Sequence, residues 1–285
     1  AYLGGEAVGT ATLDLLFGDV NPSGKLAETF PRRLEDNPSY LYFFGDEQNK
    51  TEYREGVFVG YRYYDKKNMD VLFPFGYGLS YTTFEYSNLT LDKSEMNDTD
   101  TLTVSVNVRN TGKVKGKEVV QLYVGMPESR TIRPVKELRG FEKIELEPGE
   151  EKTVTFTLAK RAFAYYRTDI SDWYVESGDY TIMAAKSSRD IACTATVNVT
   201  STTQIKRVYT MNSTIEEIME SPVGREILGK MMAQNPLAQA DADDIGMGEA
   251  MARMMAEMPL RAVLSFGGDS VPAGAGEMLL QQLNA

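Results

Sequence analysis

The chain contains no histidine, and cysteine and tryptophan occur once each among its 285 residues. Without histidine it cannot carry a Ser-His or Cys-His nucleophile or a histidine-ligated metal site. The single cysteine, Cys193, can form no disulfide within the chain, which favours a cytoplasmic over a secreted location. No apolar run approaches the roughly 20 residues that a membrane-spanning helix needs. We therefore predict no membrane span and no disulfide framework.

Basic residues are fewer than acidic residues in this chain. Thirty Lys and Arg residues face 41 Asp and Glu residues, which gives a formal net charge of -11. Nucleic-acid binding depends on a basic surface that neutralises phosphates, so nucleic acid is excluded as a partner. The hydrophobic fraction of 42% is ample for a buried core. A length of 285 residues predicts about two domains on a prior of roughly 150 residues each.

Residues 72–84 combine aromatic residues, two glycines and a proline, which excludes a regular helix and predicts a rigid aromatic hinge. Before the hinge, helical spacing over residues 6–17 predicts a helix that Gly18 ends, and residues 26–30 read as a short strand. Residues 32–56 are polar and rich in tyrosine, which indicates a long loop that wraps a neighbour or serves function. Residues 56–64 are predicted to form a strand.

The pattern changes after the hinge to strict alternation of apolar and polar residues. Turn signals follow at residues 110–112 and 147–150. About seven short strands in some 115 residues indicate an antiparallel β-sandwich. The predicted strands cover residues 84–91, 101–109, 118–124, 143–146, 153–158, 179–185 and 192–199.

The last 80 residues are predicted to be helical. Ser213 to Glu216 has the capping-box pattern, and Ser221-Pro222 places an N-cap before a first-turn proline. Ten of the fourteen methionines lie from Met211 onward, which is typical of an adaptable core and alternatively of a partner-binding groove. The acidic run 241–244 lacks the spacing of a calcium loop. The predicted helices cover about 214–220, 222–232, 247–257, 259–266 and 273–283.

Three long motifs carry a family resemblance. They are GGEA followed by LLFGDVNPSGKL and TFP within residues 4–31, YREGVFVGYRYY at 53–64, and FPFGYGLSYTTF at 73–84. In this order they resemble glycoside hydrolase family 3, the β-glucosidase-like enzymes. The resemblance implies that the first motif closes an α/β sandwich domain and that the last opens a fibronectin type III-like domain. It covers about residues 1–200, and residues 212–226 resemble helical tails of bacterial members more weakly.

The expected fold is mainly β with α: a fibronectin type III-like antiparallel β-sandwich, preceded by a partial α/β segment and followed by a small helical region. The predicted domains are residues 1–72, the end of the α/β sandwich domain with a linker loop; residues 73–204, the β-sandwich; and residues 205–285, the helical C-terminal region. The chain is expected to begin inside a domain whose greater part is missing.

No catalytic, cofactor-binding or metal-binding residue is predicted, and no cofactor. Asp172 lies in a Ser-Asp-Trp triplet like the one that holds the family's nucleophile, but in the family that nucleophile follows a TIM-barrel strand. Glu6 is expected to favour the dipole of the first helix and to cap its free amides. The resemblance places the acid/base residue before Ala1. Arg133 to Phe141 is interpreted as a packed loop with ion pairs that crosses between the sheets, with sugar contact as the alternative.

The resemblance thus implies a non-catalytic C-terminal part of a retaining, exo-acting β-glycosidase. It would brace the catalytic domains, and loop 32–64 would shape the rim of the site. Expected partners are the missing TIM-barrel and α/β portions and a β-linked sugar; homo-oligomerisation stays open. The alternative is a carbohydrate-binding or protein-interaction module without hydrolase activity. The clustered aromatics are interpreted as domain-interface packing, with sugar stacking as the alternative: Tyr40, Tyr42, Phe43, Phe44, Tyr53, Tyr61, Tyr63 and Tyr64.

Overall fold

A computed structural model describes residues 2, 4–43, 45, 50–205, 207–233, 253–266 and 274–284. The chain divides into two compact units, Ala1–Thr203 and Gln204–Ala285. The domain limits expected at 72/73 and 204/205 stay predictions. Among the described residues, no helix combines the length and apolar character needed to cross a bilayer.

The centre of the first unit is a β-sandwich, as predicted. One sheet has five strands in the order β4-β12-β11-β6-β7, and the other has three in the order β3-β5-β8. All neighbours are antiparallel except β4 and β12. The strands are β3 (Phe84–Leu91), β4 (Glu95–Asn97), β5 (Leu102–Asn110), β6 (Gly116–Gly125), β7 (Glu137–Leu146), β8 (Glu151–Leu158), β11 (Gly178–Ala185) and β12 (Ile191–Thr200).

Alternation along these strands determines the core. In β5 every second residue is buried, so Leu102, Val104, Val106 and Val108 all point between the sheets. The main cluster also contains Phe163, whose ring meets that of Tyr180 edge-on at 5.3 Å. The seven strands predicted from alternation are therefore confirmed, with longer bounds for several of them.

Two further strands form a hairpin outside the two large sheets. They are β9 (Tyr165–Arg167) and β10 (Asp172–Tyr174), which pair Tyr165 with Tyr174 and Tyr166 with Trp173. Three residues are too few for alternation to be recognised, so this hairpin was not predicted.

The segment before the sandwich has less regular structure than expected. Helix α1 (Val8–Phe17) is confirmed and ends where the sequence places Gly18. The strand expected over 26–30 is wrong: strand β1 is only Phe30–Pro31, and it pairs with β2 (Val71–Phe73). In the part of the expected loop that the structure describes, the helical structure is one 3₁₀ turn, Leu34–Asp36.

The strand predicted over residues 56–64 is also wrong, because this stretch ends in helix α2 (Tyr61–Lys66). Gly60 precedes it with φ 57° and ψ -134°, a conformation that residues with a Cβ avoid. The chain turns there, and the helix then buries Tyr61 and Tyr64 three residues apart on one face. Tertiary burial of these two rings overrides the strand preference of the aromatic run.

The second unit is helical, as predicted. Its helices are α3 (Ile215–Met219), α4 (Pro222–Ala233), α5 (Leu260–Phe266) and α6 (Ala275–Asn284). The capping box lies one residue later than predicted: Thr214 accepts the Glu217 amide, and Glu217 accepts the Thr214 amide. The acidic run 241–244 and most of the helix predicted at 247–257 lie outside the described residues.

Candidate functional site

Two adjoining cavities have walls formed mainly by the loop before α2 and by α2 itself. The first cavity has a volume of about 300 Å³ and is lined by Ser39, Tyr42, Phe43, Thr51, Glu52, Tyr53 and Glu55. The second has a volume of about 470 Å³ and is lined by Pro38, Tyr42, Arg54, Glu55, Phe58, Tyr63, Lys66, Lys67 and Ile132. Tyr42 and Glu55 line both. Six of the eight aromatics grouped from the sequence take part in these walls or in α2's buried face, and Phe44 lies outside the described residues.

Charge is distributed unevenly along this loop. Arg54 forms an ion pair with Glu52 and lies over the Tyr42 ring, 4.4 Å from its centre. The hydrogen bond to Glu52 raises the pKa of Arg54, so the guanidinium stays charged. In contrast, the Oε2 atom of Glu55 is buried and has no hydrogen-bond partner. Of the two carboxylates that line these cavities, Glu52 is therefore paired, and Glu55 keeps an acceptor atom without a donor.

Buried ion pairs attach the loop to the sandwich. Asp65 accepts from Lys136 Nζ at 2.8 Å and from Arg189 Nε at 2.9 Å, although these cations are 71 and 124 residues away in sequence. Tyr61 adds a phenol oxygen that accepts the Leu138 amide at 2.8 Å. The loop's last part is thus held on two sandwich segments at once.

A second charged cluster surrounds Glu137. Its carboxylate faces Arg139 at 2.6 Å, Arg62 at 3.4 Å and Arg133 at 3.6 Å. Burial lowers the pKa of Arg139, and the neighbouring Arg133 and Arg62 act in the same direction. The ion pairs expected in 133–141 are present, but the segment leads from β6 into β7 of the same sheet, so the expected crossing between sheets is wrong.

The aromatic hinge is fixed by buried polar groups. Gln121 donates to the carbonyl oxygens of Gly76 and Lys186 at 3.0 and 2.7 Å. A Cβ at Gly76 would lie 2.0 Å from the Gln121 side chain, so glycine is required there. Glu118 accepts from Lys25 at 3.2 Å and from Tyr86 at 3.0 Å. Hinge and first segment therefore meet the sandwich through fixed hydrogen bonds.

The two carboxylates weighed as catalysts lie in other surroundings. Asp172 is exposed in hairpin β9–β10 and accepts the amide of Trp173 at 2.7 Å. Glu6 is exposed before α1, and no capping bond from it occurs among the described hydrogen bonds. In the described ranges, no three His, Cys, Asp or Glu side chains are grouped as metal ligands. The absence of catalytic and metal residues stays a prediction.

Residues 1–81 match the Glycosyl hydrolase family 3 C-terminal domain, and residues 118–188 match the Fibronectin type III-like domain. The chain belongs to glycoside hydrolase family 3. It corresponds to the C-terminal part of the family's β-glucosidase-like members.

Relatives are similar over most or all of this chain but are much longer. Thermostable beta-glucosidase B of Acetivibrio thermocellus is 51% identical over all 285 residues, and the chain spans 37% of its length. The beta-glucosidase of Kluyveromyces marxianus is 50% identical over 194 residues, 67% of this chain and 22% of that enzyme. The crystal structure of the Bifidobacterium adolescentis GH3 beta-glucosidase superposes with a TM-score of 0.67 at 42% identity, covering 79% of this chain and 32% of that one.

Proposed function

We propose that this chain is the non-catalytic part of a retaining, exo-acting β-glycosidase that acts on β-linked glucosides. It braces the catalytic portions, and its loop 32–64 contributes to the rim of the active site. Retaining enzymes need two carboxyl groups about 5–5.5 Å apart, and we assign both to the catalytic portions rather than to Asp172 or Glu6.

The observation that carries this proposal is the uncovered apolar surface of α1. The helix has apolar residues around most of its circumference, yet none of its residues is buried within the chain. Leu16 is 72% exposed and Phe17 79%. A helix that is apolar all round is normally enclosed by other elements. We infer that the α/β catalytic portion encloses it.

The exposed apolar surface continues at the hinge. Leu72, Leu79 and Tyr81 are exposed, and Tyr81 donates its phenol O–H to the Leu15 carbonyl at 2.6 Å. The hydrogen bond joins this part of the hinge to α1. Large exposed apolar patches are typical of interaction surfaces, which supports bracing through α1 and the hinge together.

The bracing is tested in the complete enzyme with Leu16→Asp combined with Phe17→Asp. If α1 packs against the catalytic portion, the two carboxylates enter an apolar interface, and thermal inactivation occurs at a markedly lower temperature. Ser94→Asp combined with Thr99→Asp places the same two charges at exposed polar positions outside α1 and serves as the control. Equal inactivation temperatures for all three proteins would contradict the proposal.

Catalysis is tested with the purified 285-residue chain and an aryl β-glucoside. We expect no turnover above buffer, because the proposal assigns both reactive carboxyl groups to other parts of the enzyme. Turnover that is lost in Asp172→Asn would overturn this assignment.

One observation favours the alternative of a carbohydrate-binding module. The Tyr166 and Trp173 rings of hairpin β9–β10 meet at 5.4 Å and are half-exposed, although Arg161 covers one side of Trp173. Aromatic rings of this kind bind sugar faces. Because Trp173 is the chain's single tryptophan, its fluorescence reports directly on binding of a soluble β-glucan. A change that Tyr166→Ala abolishes would favour this alternative.

A further inference from the structure

We propose that the first cavity is a sugar-binding subsite in which Glu55 accepts hydrogen bonds from the hydroxyl groups of a β-linked oligosaccharide. The assignment rests on the proposed function for the class of sugar, and on the cavity itself for the position and the residues.

Glu55 has a buried acceptor atom, Oε2, without a hydrogen-bond donor. A buried carboxylate oxygen without a donor is costly, and native structures rarely leave such an atom unsatisfied. The nearest cation along the chain, Arg54, is already paired with Glu52 and stacked on Tyr42. Because Glu55 lines both cavities, its donor can come from a molecule that enters either of them.

The lining of the first cavity indicates which kind of molecule supplies the donor to Glu55. The lining of the first cavity combines the Ser39 and Thr51 hydroxyls, two carboxylates, and the rings of Tyr42, Phe43 and Tyr53. An apolar ligand would leave Glu55 unsatisfied, and an anion would be repelled by Glu52 and Glu55. A pyranose offers several hydroxyl donors at its edge and apolar C–H groups on its faces, which match carboxylates and rings respectively.

The first cavity lies at the surface of the chain. Phe43 and Tyr53 are largely exposed, so the cavity opens to the surface and can receive one unit of a longer chain. Asp65 and Tyr61 fix the end of the loop on the sandwich. The subsite therefore lies next to a part of the chain that is held firmly on the sandwich.

The experiment measures cellobiose binding to the 285-residue chain by saturation-transfer NMR, because all described lining residues belong to this chain. We expect a dissociation constant in the millimolar range, about 1–10 mM, as for a ligand held by a few hydrogen bonds. Glu55→Gln keeps the shape and removes the charge, and we expect about tenfold weaker binding since bonds to charged groups are the stronger ones. Glu35→Gln makes the same change at an exposed carboxylate of the same loop that lines neither cavity, and it should leave binding within about twofold.

Urea unfolding of each variant shows whether the chain is still folded. Absence of cellobiose binding to the folded parent chain, or equal binding by the parent and Glu55→Gln, would overturn the subsite. The first result would assign the free acceptor to a donor side chain of the catalytic portion. Either result would weaken the case for loop 32–64 at the rim of the active site. The bracing role and the hydrolytic activity are tested separately, by the α1 variants and by hydrolysis of aryl β-glucosides by the complete enzyme.

Discussion

Buried carboxylates join distant parts of the first unit. Asp65, Asp98, Glu118 and Glu137 are largely buried, and each faces at least one lysine or arginine. A buried charge without its partner is strongly unfavourable, so these pairs make one arrangement of the segments much more stable than others. They specify position more than they add net stability.

Asp65→Asn is expected to lower the free energy of unfolding by about 3 kcal/mol, because it leaves Lys136 and Arg189 without their counter-charge. Urea denaturation measures the change. Asp169→Asn is the control, since Asp169 is 54% exposed and its pair with Arg167 is solvated. A similar loss in both variants would show that burial of the pair is not the cause.

Asp98 provides the pH-dependent contribution. Its burial acts to raise the pKa, but hydrogen bonds from Thr202 at 2.8 and 2.6 Å and the contact with Lys160 at 3.3 Å outweigh it and lower the pKa of Asp98 below its ordinary 3.8. The folded state therefore binds this proton more weakly than the unfolded state does. The contribution is complete above the unfolded pKa and is lost as pH falls through the folded value.

We accordingly expect Asp98→Asn to be less stable than the parent at neutral pH, by an amount that stays constant down to about pH 5. Below pH 3.8 the difference in stability between the parent and the variant should become smaller, because Asp98 of the parent is protonated. Urea midpoints measured stepwise down to about pH 3 test this. A gap that widens on acidification would mean that the folded state raises the pKa instead.

At the level of elements, the long strands and the helices with local start and stop signals were predictable, whereas strands β9 and β10 and helix α2 were not. Strand β5 alternates over nine residues, and Gly18 marks the end of α1, so the sequence signal is local and repeated. Strands β9 and β10 depend on a cross-strand aromatic pairing that no local pattern reveals. Helix α2 depends on the burial of Tyr61 against Tyr123 and Ala185, which lie far along the chain.

The same limit applies to the candidate site. The tyrosine-rich loop was recognised from its length and composition, but Glu55 was not singled out. Glu55 stands out because its Oε2 atom is buried and has no hydrogen-bond partner. This follows from the ion pair of Arg54 with Glu52, which the sequence does not reveal. Likewise, the cations that bind Asp65 come from two remote segments, and spacing in the sequence contains no signal for either.

Gly60→Ala tests the turn into α2. A Cβ at this position would meet no atom within 4 Å, so the penalty comes only from the positive φ. We expect a loss of about 1–3 kcal/mol in the free energy of unfolding. Gly24→Ala adds the same methyl group in open space without a positive φ, and its urea midpoint should match that of the parent.

Thr214→Ala tests the corrected position of the capping box. Loss of the bond from the Glu217 amide should cost about 1 kcal/mol of helix stability, which thermal unfolding followed by circular dichroism at 222 nm would detect. Thr214→Ser keeps the accepting hydroxyl and should unfold like the parent. A loss of the same size in the serine variant would assign the effect to the methyl group.

On the scale of the whole molecule, the hydrophobic cores follow the two units. The sandwich clusters draw their members from residues 61–199, whereas the helical cluster contains only residues from Tyr209 to Leu283. No buried apolar residue of the described sandwich cores lies beyond Val199. Each unit thus encloses its own apolar core, which is the physical condition for folding alone.

We therefore expect a chain that ends after Thr203 to keep the sandwich folded, with an unchanged urea midpoint for the β-structure, because it retains every residue of those cores. A chain that ends after Asp190 is the control, since it lacks β12 and with it Val197 and Val199, which are fully buried. That shorter chain should not fold. The loss of β12 opens the main core and leaves the edges of β4 and β11 without their partner. Circular dichroism and urea unfolding of both chains measure the difference. Unfolding of the chain that ends after Thr203 would mean that the sandwich depends on the helical unit, and residues 1–203 would then not form a domain.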